Sequence, residues 1–416
     1  MSVLELLSLL ITTAALFGMV SKRWLRLPLT LGTMFLTVAA SLCLLGLRLL
    51  IPSLHSWALK VVGSINFENL ILHGMLPVLL FAGAFLLDLD ALSKEKLSVS
   101  LLSVPGTLLS TVATAGLMWI VLPLIGLNAP WLHCLFFGAL ISPTDPVAVL
   151  EMLHRSSVPK NVQAQLAGES LFNDGIGAAI FVALLAASRG DSVSPLQFAE
   201  FVLLKAGGGL VLGVAAAWIT SFLMRSVDSN QIDILLTIAL AFGAYAVAES
   251  LHLAAPLAAV ASGVALRHFN LEYPNATIAH ERVDNFWVVM DEIQNAVLFV
   301  LLGLQVLVVP FSRLFLLAGV LAILSVFVVR LVVVSSIIGS LRRLQPSHRS
   351  SIKILTWGGI RGGLALALAL SVPEQEGHPW ILAATYTVVL FSILVQGGSL
   401  PLLLDRRREQ GSLMDV

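Results

Sequence analysis

Asp174 stands about ten residues, or about 15 Å of helix, into the apolar run AQLAGESLFNDGIGAAIFVALLAA at 164–187. On a helix Ser170 and Asp174, four apart, share one face, and Glu169 and Asn173 share the strip beside it. A second apolar run, CLFFGALISPTDPVAVLEML at 134–153, sets Thr144 and Asp145 between Pro143 and Pro146. A third, WGGIRGGLALALAL at 357–370, sets Arg361 among four glycines. A charge at the centre of a membrane helix costs about 2.5–3.5 kcal/mol, so these charges are expected to enclose something. Desolvation penalises a bare carboxylate, and Asp174 is expected to hold a proton or a small cation. Asp174, Asp145, Ser170 and Thr144 offer oxygens without sulfur or imidazole, the donor set of a hard cation such as sodium. Glu169, a little over one turn before Asp174, is the expected partner of Arg361, each offsetting the other's cost in the membrane.

The prolines and glycines predict how the elements present these groups. Each proline removes an N–H and clashes with the carbonyl four residues back, so the helix around Asp145 should open. Glycine lets the helix around Arg361 bend or another helix approach. Freed carbonyls and half-helix ends at mid-membrane bind ions where they line a cavity.

The whole chain is built for lipid. Of 416 residues 58% are hydrophobic and 12% charged, against about 45–50% and about 25% in soluble domains. A formal charge of zero leaves no basic surplus for a nucleic-acid partner. Cys43 and Cys134 offer neither a disulfide framework nor metal-ligand spacing. Apolar windows fall at 4–20, 27–47, 69–89, 97–122, 130–152, 164–187, 198–224, 231–250, 253–268, 287–309, 311–338, 350–372 and 380–404, which predicts an all-α polytopic membrane protein of about 13 spans. The first window has no basic residue before it and no small-residue cleavage site after it, the pattern of a retained helix.

The basic residues test the count. With the N-terminus outside, seventeen of the 24 Lys and Arg fall on the inner side, four (Arg48, Lys60, Arg189 and Arg313) on the outer, and Lys205, Arg330 and Arg361 within spans. An N-out, C-in orientation follows from the positive-inside rule. The organisation predicted is one transmembrane unit over 1–404, with core helices at about 97–187 and 311–404, the other spans forming an interface, and a short cytoplasmic tail at 405–416. Such a tail is too short for a nucleotide-binding domain, so no ATP-driven step and no cofactor are expected.

Each interrupted span is the middle of three, spans four to six and eleven to thirteen, and the odd separation makes the two run oppositely through the bilayer. That predicts inverted-topology repeats whose two discontinuous helices cross at mid-membrane.

TDPVAV at 144–149, GESLFNDG at 168–175 and WGGIRGG at 357–363 together resemble the NhaP-type sodium/proton antiporters. LPVLLFAGAFLLDL at 76–89 and NAVLFVLLGLQV at 295–306 extend the resemblance over nearly the whole membrane region. It implies a thirteen-helix homodimer, in which a six-helix core moves against a dimerisation domain; the short loops and tail point to a prokaryotic inner membrane. It also implies that Asp174 is the essential ion- and proton-binding aspartate, with Asn173 before it, and that Thr144, Asp145 and Ser170 help form the site. Glu169 and Arg361 pair in that family pattern, and Arg330 is a core arginine. Asn-Asp in place of two adjacent aspartates implies electroneutral exchange of one monovalent cation, sodium or else lithium or potassium, for one proton. In one respect the chain departs: where some members have a glutamate in span three, LLFAGAF is expected to place Ala82.

Other signals are expected to be structural. Gly207, Gly208, Gly209 and Gly213 have small-residue spacing for helix packing, and His73 lies at an interface. Asp291, Glu292, Asn295 and Gln305 in span ten have an unresolved supporting role. Asn275 begins a sequon on the inner side, and AHERVD at 279–284 lacks the second histidine of a zinc protease. A channel or an intramembrane protease fits the broken helices less well than a carrier. The alternative is a sodium-coupled carrier of a small organic anion on a similar fold.

Overall fold

The computed structural model describes residues 3–25, 27, 29–47, 51–63, 65–145, 158, 160–188, 195–226, 229–271, 277–309, 312–343, 351–373 and 378–400. Pro146, Asn275, the 405–416 tail and the loop arginines Arg26, Arg48, Arg155, Arg189 and Arg349 lie outside them. Every described element is helical, as lipid demands of a backbone that must satisfy its own polar groups.

We number the elements that position the site α1 (Val3–Val20), α2 (Leu29–Gly46), α3 (Pro52–Gly63), α4 (Leu76–Phe85), α5 (Lys96–Ser103), α6 (Pro105–Val121), α7 (Trp131–Ile141), α8 (Lys160–Ser188), α9 (Pro195–Met224), α10 (Asn230–Ser250), α11 (Ala255–Leu271), α12 (Thr277–Leu304), α13 (Arg313–Arg342), α14 (Ser351–Trp357), α15 (Gly363–Leu370) and α16 (His378–Phe391). Among the described residues nine helices are long and apolar enough to cross a membrane. α5 and α6 are one such span, interrupted where Pro105 follows Val104. α14 and α15 are the two halves of the span broken at 358–362.

Local chemistry explains where the observed helices depart from the expected windows. α12 starts at Thr277, ten residues before the apolar window. Its polar first turns are stabilised because Arg267 of α11 donates to both carboxylate oxygens of Asp284, at 2.7 and 2.8 Å. Span three stops at Phe85 because Asp88 turns the chain into a new helix, Leu89–Lys94, accepting the Ala91 N–H as its cap. The link before span three holds α3, whose twelve residues are too few to cross the bilayer.

Two groups of helices emerge from the packing. α6 packs on α7 and on α13, α13 on α16, α15 on α7 and α16, and α5 and α7 on α8. In the other group α4 packs on α11, α9 and α10 on α11, and α12 on α1 and α2. Close approach through small residues joins α9 to α11: a side chain at Gly209 or Gly213 would collide with the backbone of Ala254 or Ala258. Gly208 is covered by Leu253, while Gly207 faces open space. Trp119, Ile120, Trp218, Phe222, Leu324 and Val332 lie exposed on the outer helices, where acyl chains are their solvent.

Candidate functional site

The two breaks meet. Ser142 to Asp145 continue from α7 without helix, and 358–362 separate α14 from α15. The backbone N–H of Asp145 donates to the carbonyl of Ile360 at 2.7 Å, so one opened strand of chain supplies the other's missing partner. Only glycine fits beside this bond, because a Cβ at Gly362 would overlap the Asp145 side chain.

Arg361 closes the junction. Its Nη1 donates to the carbonyls of Ser142 and Pro143, at 2.5 and 2.8 Å, at the free end of α7. Pro146 has no N–H to offer Ser142. A guanidinium therefore caps the half-helix, where the carbonyl dipoles favour positive charge.

The expected pairing of Glu169 with Arg361 is corrected by this geometry. Glu169 of α8 is gripped by Arg330 of α13: Nη1 donates to Oε1, and Nη2 to Oε2 at 2.9 Å. The same guanidinium donates through Nε and Nη2 to the carbonyl of Leu355 in α14, at 3.3 and 2.9 Å. Both partners are buried, so Arg330 does not snorkel. Two nitrogens facing two carboxylate oxygens is the arrangement that best offsets the desolvation of an enclosed pair. Arg361 cannot compete, since the break itself holds it at the end of α7.

The remaining polar groups of α8 separate by depth. Thr144 is held from two sides: its N–H donates to Asn173 Oδ1 at 3.2 Å, Asn173 Nδ2 donates to Thr144 Oγ1 at 2.9 Å, and the Thr144 and Ser170 hydroxyls are 2.8 Å apart. Thr144, Ser170 and Asn173 are all but fully buried. Asp174, one residue further round the helix, instead lines a cavity of about 1360 Å³ together with Thr144, Asp145 and Gly362. Asp145 and Arg361 are near enough for their charges to act on it. Thus Thr144, Asp145 and Asp174 present oxygens to the cavity, while Ser170 and Asn173 fix Thr144 from behind.

This cavity runs between the two helix groups. One wall is α8 and the breaks; the other is α1, α2, α4 and α12, which contribute Leu80, Gly83, Asp291 and Asn295 among others. It reaches Lys22, Asp88 and Lys160, where α1 ends and α8 begins. Ala82 is not on it, contrary to expectation: the residue is buried against Phe81, Phe85 and Trp287, and Gly83 is what faces the cavity. The apolar window gives no azimuth for span three. Asp291, Glu292 and Asn295 prove to be cavity residues, whereas Gln305 is buried elsewhere. His73 pairs with Glu249 at 2.7 Å on the protein surface, away from the cavity.

Known proteins share this chain's sequence family and fold. The family model described as "Sodium/hydrogen exchanger, transmembrane" matches residues 10–406. The Na(+)/H(+) antiporter NhaP of Pseudomonas aeruginosa is 38% identical over 409 residues, 97% of this chain and 96% of that one. The Na(+)/H(+) antiporter NhaH of Halobacillus dabanensis is 30% identical over 354 residues, covering 82% and 83%. Among solved structures, the sodium proton antiporter MjNhaP1 from Methanocaldococcus jannaschii superposes with a TM-score of 0.74 at 19% identity, over 96% of this chain and 97% of that one, a likeness of fold. With bacterial relatives aligned along almost its full length, the opened end of α7 joined at Asp145 to the break between α14 and α15, and a carboxylate facing a cavity at mid-helix, the chain belongs to the transmembrane sodium/hydrogen exchanger family and is a multi-pass membrane transporter, not an enzyme.

Proposed function

We propose that this chain exchanges a monovalent cation, sodium first, for a proton by alternating access, and that Asp174 is where the two compete. The observation that carries the reading is the placement of Asp174 in the cavity beside Thr144 and Asp145 of the crossed breaks. A carboxylate there is neutralised either by a proton or by a cation, since desolvation leaves a bare charge too costly. A sodium ion would take oxygens from Asp174, Asp145 and Thr144, with the Ser170 hydroxyl bonded behind Thr144.

One cation is exchanged for one proton. Asn173, which stands where a second carboxylate would add another exchanging charge, has both amide atoms engaged on Thr144. The pair Glu169–Arg330 ties α8 to α13, and Arg361 ties the two breaks, so the site moves as a unit with α5–α8 and α13–α16. These helices slide against the remaining group along the cavity that separates them. Acidic residues along this cavity favour an inorganic cation over an organic anion.

The transporter is placed in a bacterial inner membrane as a homodimer, N-terminus outside and C-terminus cytoplasmic, an orientation supported by the basic residues. In that orientation Lys22 and Lys160 are cytoplasmic and the cavity opens inward. The test is proton flux in proteoliposomes with an inside-acid gradient, read by a pH dye as sodium, lithium or potassium is added outside. Wild type should collapse the gradient with at least one cation whether or not the voltage is clamped, and Asp174→Ala should not. No collapse by any cation across the pH range would reject the exchange.

A further inference from the structure

Asp291 and Asn295 lie four apart on α12, one turn, and so share a face; both line the cavity wall opposite α8. Leu298, one turn deeper than Asn295, packs over Gly363 at the start of α15, so Asn295 is next to the crossed breaks and Asp291 about one turn nearer the cavity mouth. Asp291 is half-buried, and Asp145 is close enough to act on it electrostatically. The next residue, Glu292, also lines the cavity and is exposed.

Asn295 is 1% exposed; its amide lies beside the Asp291 carboxylate, and its Nδ2 makes no hydrogen bond of normal length. A buried amide N–H left unpaired costs about 1–3 kcal/mol. An acceptor in the cavity removes that cost. The carboxylate one turn away attracts a cation, and the acceptor that accompanies a cation through a wide cavity is its own hydration water. Resting on the exchange proposed above, we infer that Asp291 and Asn295 form a staging site for a partly hydrated monovalent cation, on the way between the cavity mouth and Asp174. Asp291 holds the charge, and Asn295 donates to a water of the hydration shell. The ion then loses that water against Thr144 and the Asp145 and Asp174 carboxylates. Gln305, buried but outside the cavity, has no part in it.

Sodium-driven proton flux is measured in proteoliposomes over a range of sodium concentrations for wild type, Asp291→Asn, Asp291→Glu and Asn295→Ala, each checked for monodispersity in detergent. Removing the staging charge should raise the half-saturating sodium concentration of Asp291→Asn about fivefold or more, by a larger factor than it lowers the limiting rate. Asp291→Glu, which keeps the charge, should remain within about twofold of wild type. Asn295→Ala should shift half-saturation in the same direction, by less. An unchanged half-saturation in Asp291→Asn overturns the site. So does a loss confined to the limiting rate, or an Asp291→Glu variant that behaves like Asp291→Asn. Wild-type flux in the same vesicles separates failure of this site from failure of the exchange itself.

Discussion

The N–H of Asp145, just past the end of α7, donates to the carbonyl of Ile360 at 2.7 Å, joining that end to the break between α14 and α15. Neither break would be tolerable alone in hydrocarbon, where an unmet backbone group costs several kcal/mol. Together, with Arg361 on the carbonyls of Ser142 and Pro143, they form a polar crossing that holds the Asp145 side chain at the cavity.

Substituting Gly362→Ala should separate the crossing. A Cβ there overlaps Asp145, whereas one at Gly339 of α13 meets nothing. We expect Gly362→Ala to lose most cation-driven proton flux and to unfold earlier on heating, and Gly339→Ala to leave both intact. Equal behaviour of the two variants would show that the crossing tolerates a side chain.

The partner of Glu169 is decided by a double-mutant cycle. Glu169→Gln leaves the Arg330 guanidinium buried without its carboxylate and should cost about 3–5 kcal/mol. Thermal unfolding in detergent should give a coupling energy of at least about 1 kcal/mol between Glu169→Gln and Arg330→Gln, larger than that between Glu169→Gln and Arg361→Gln. The reverse order would return the pair to Arg361.

Asn173 is expected to act through Thr144. Asn173→Ala removes two hydrogen bonds and leaves the buried Thr144 N–H unmet, a loss of about 1–3 kcal/mol. Ser170→Ala removes one hydroxyl contact and should cost less. The limiting flux should fall in the same order, and half-saturating sodium should rise in both because Thr144 Oγ1 is displaced.

Competition at Asp174 has a sign. A proton on the carboxylate excludes the cation, so half-saturating sodium on a given side should rise as pH falls there, approaching about tenfold per pH unit when the protonated form predominates. The limiting rate at saturating sodium should change much less. An apparent sodium affinity that ignores pH on both sides would exclude a shared carboxylate.

Much of the architecture was legible because the cues are local. Apolar length marked an all-helical membrane chain, Pro143 and the glycines around Arg361 marked where α7 ends and where α14 and α15 part, and the position of Asp174 within its run pointed to the cavity it lines. The apolar window misses the first ten residues of α12 because they are polar and charged, among them Asp284, which Arg267 neutralises from another helix. That Gly83 and not Ala82 lines the cavity is not legible in the sequence, because near-uniform apolarity in LPVLLFAGAF leaves no periodicity from which to read a direction.

By itself, then, the sequence determined that the chain is a membrane protein and where its helical runs are interrupted. These follow from the backbone's need for internal hydrogen bonds and from the properties of single residue types. Only the tertiary structure decided that Arg330 takes Glu169 while Arg361 caps α7, that Asn173 and Ser170 stand behind Thr144, and that Asp291 and Asn295 face the same cavity as Asp174. Helical periodicity orders side chains around one helix but leaves undetermined the rotation of that helix against its neighbours. Which of two buried arginines reaches a given carboxylate depends on that rotation and on how the helices cross.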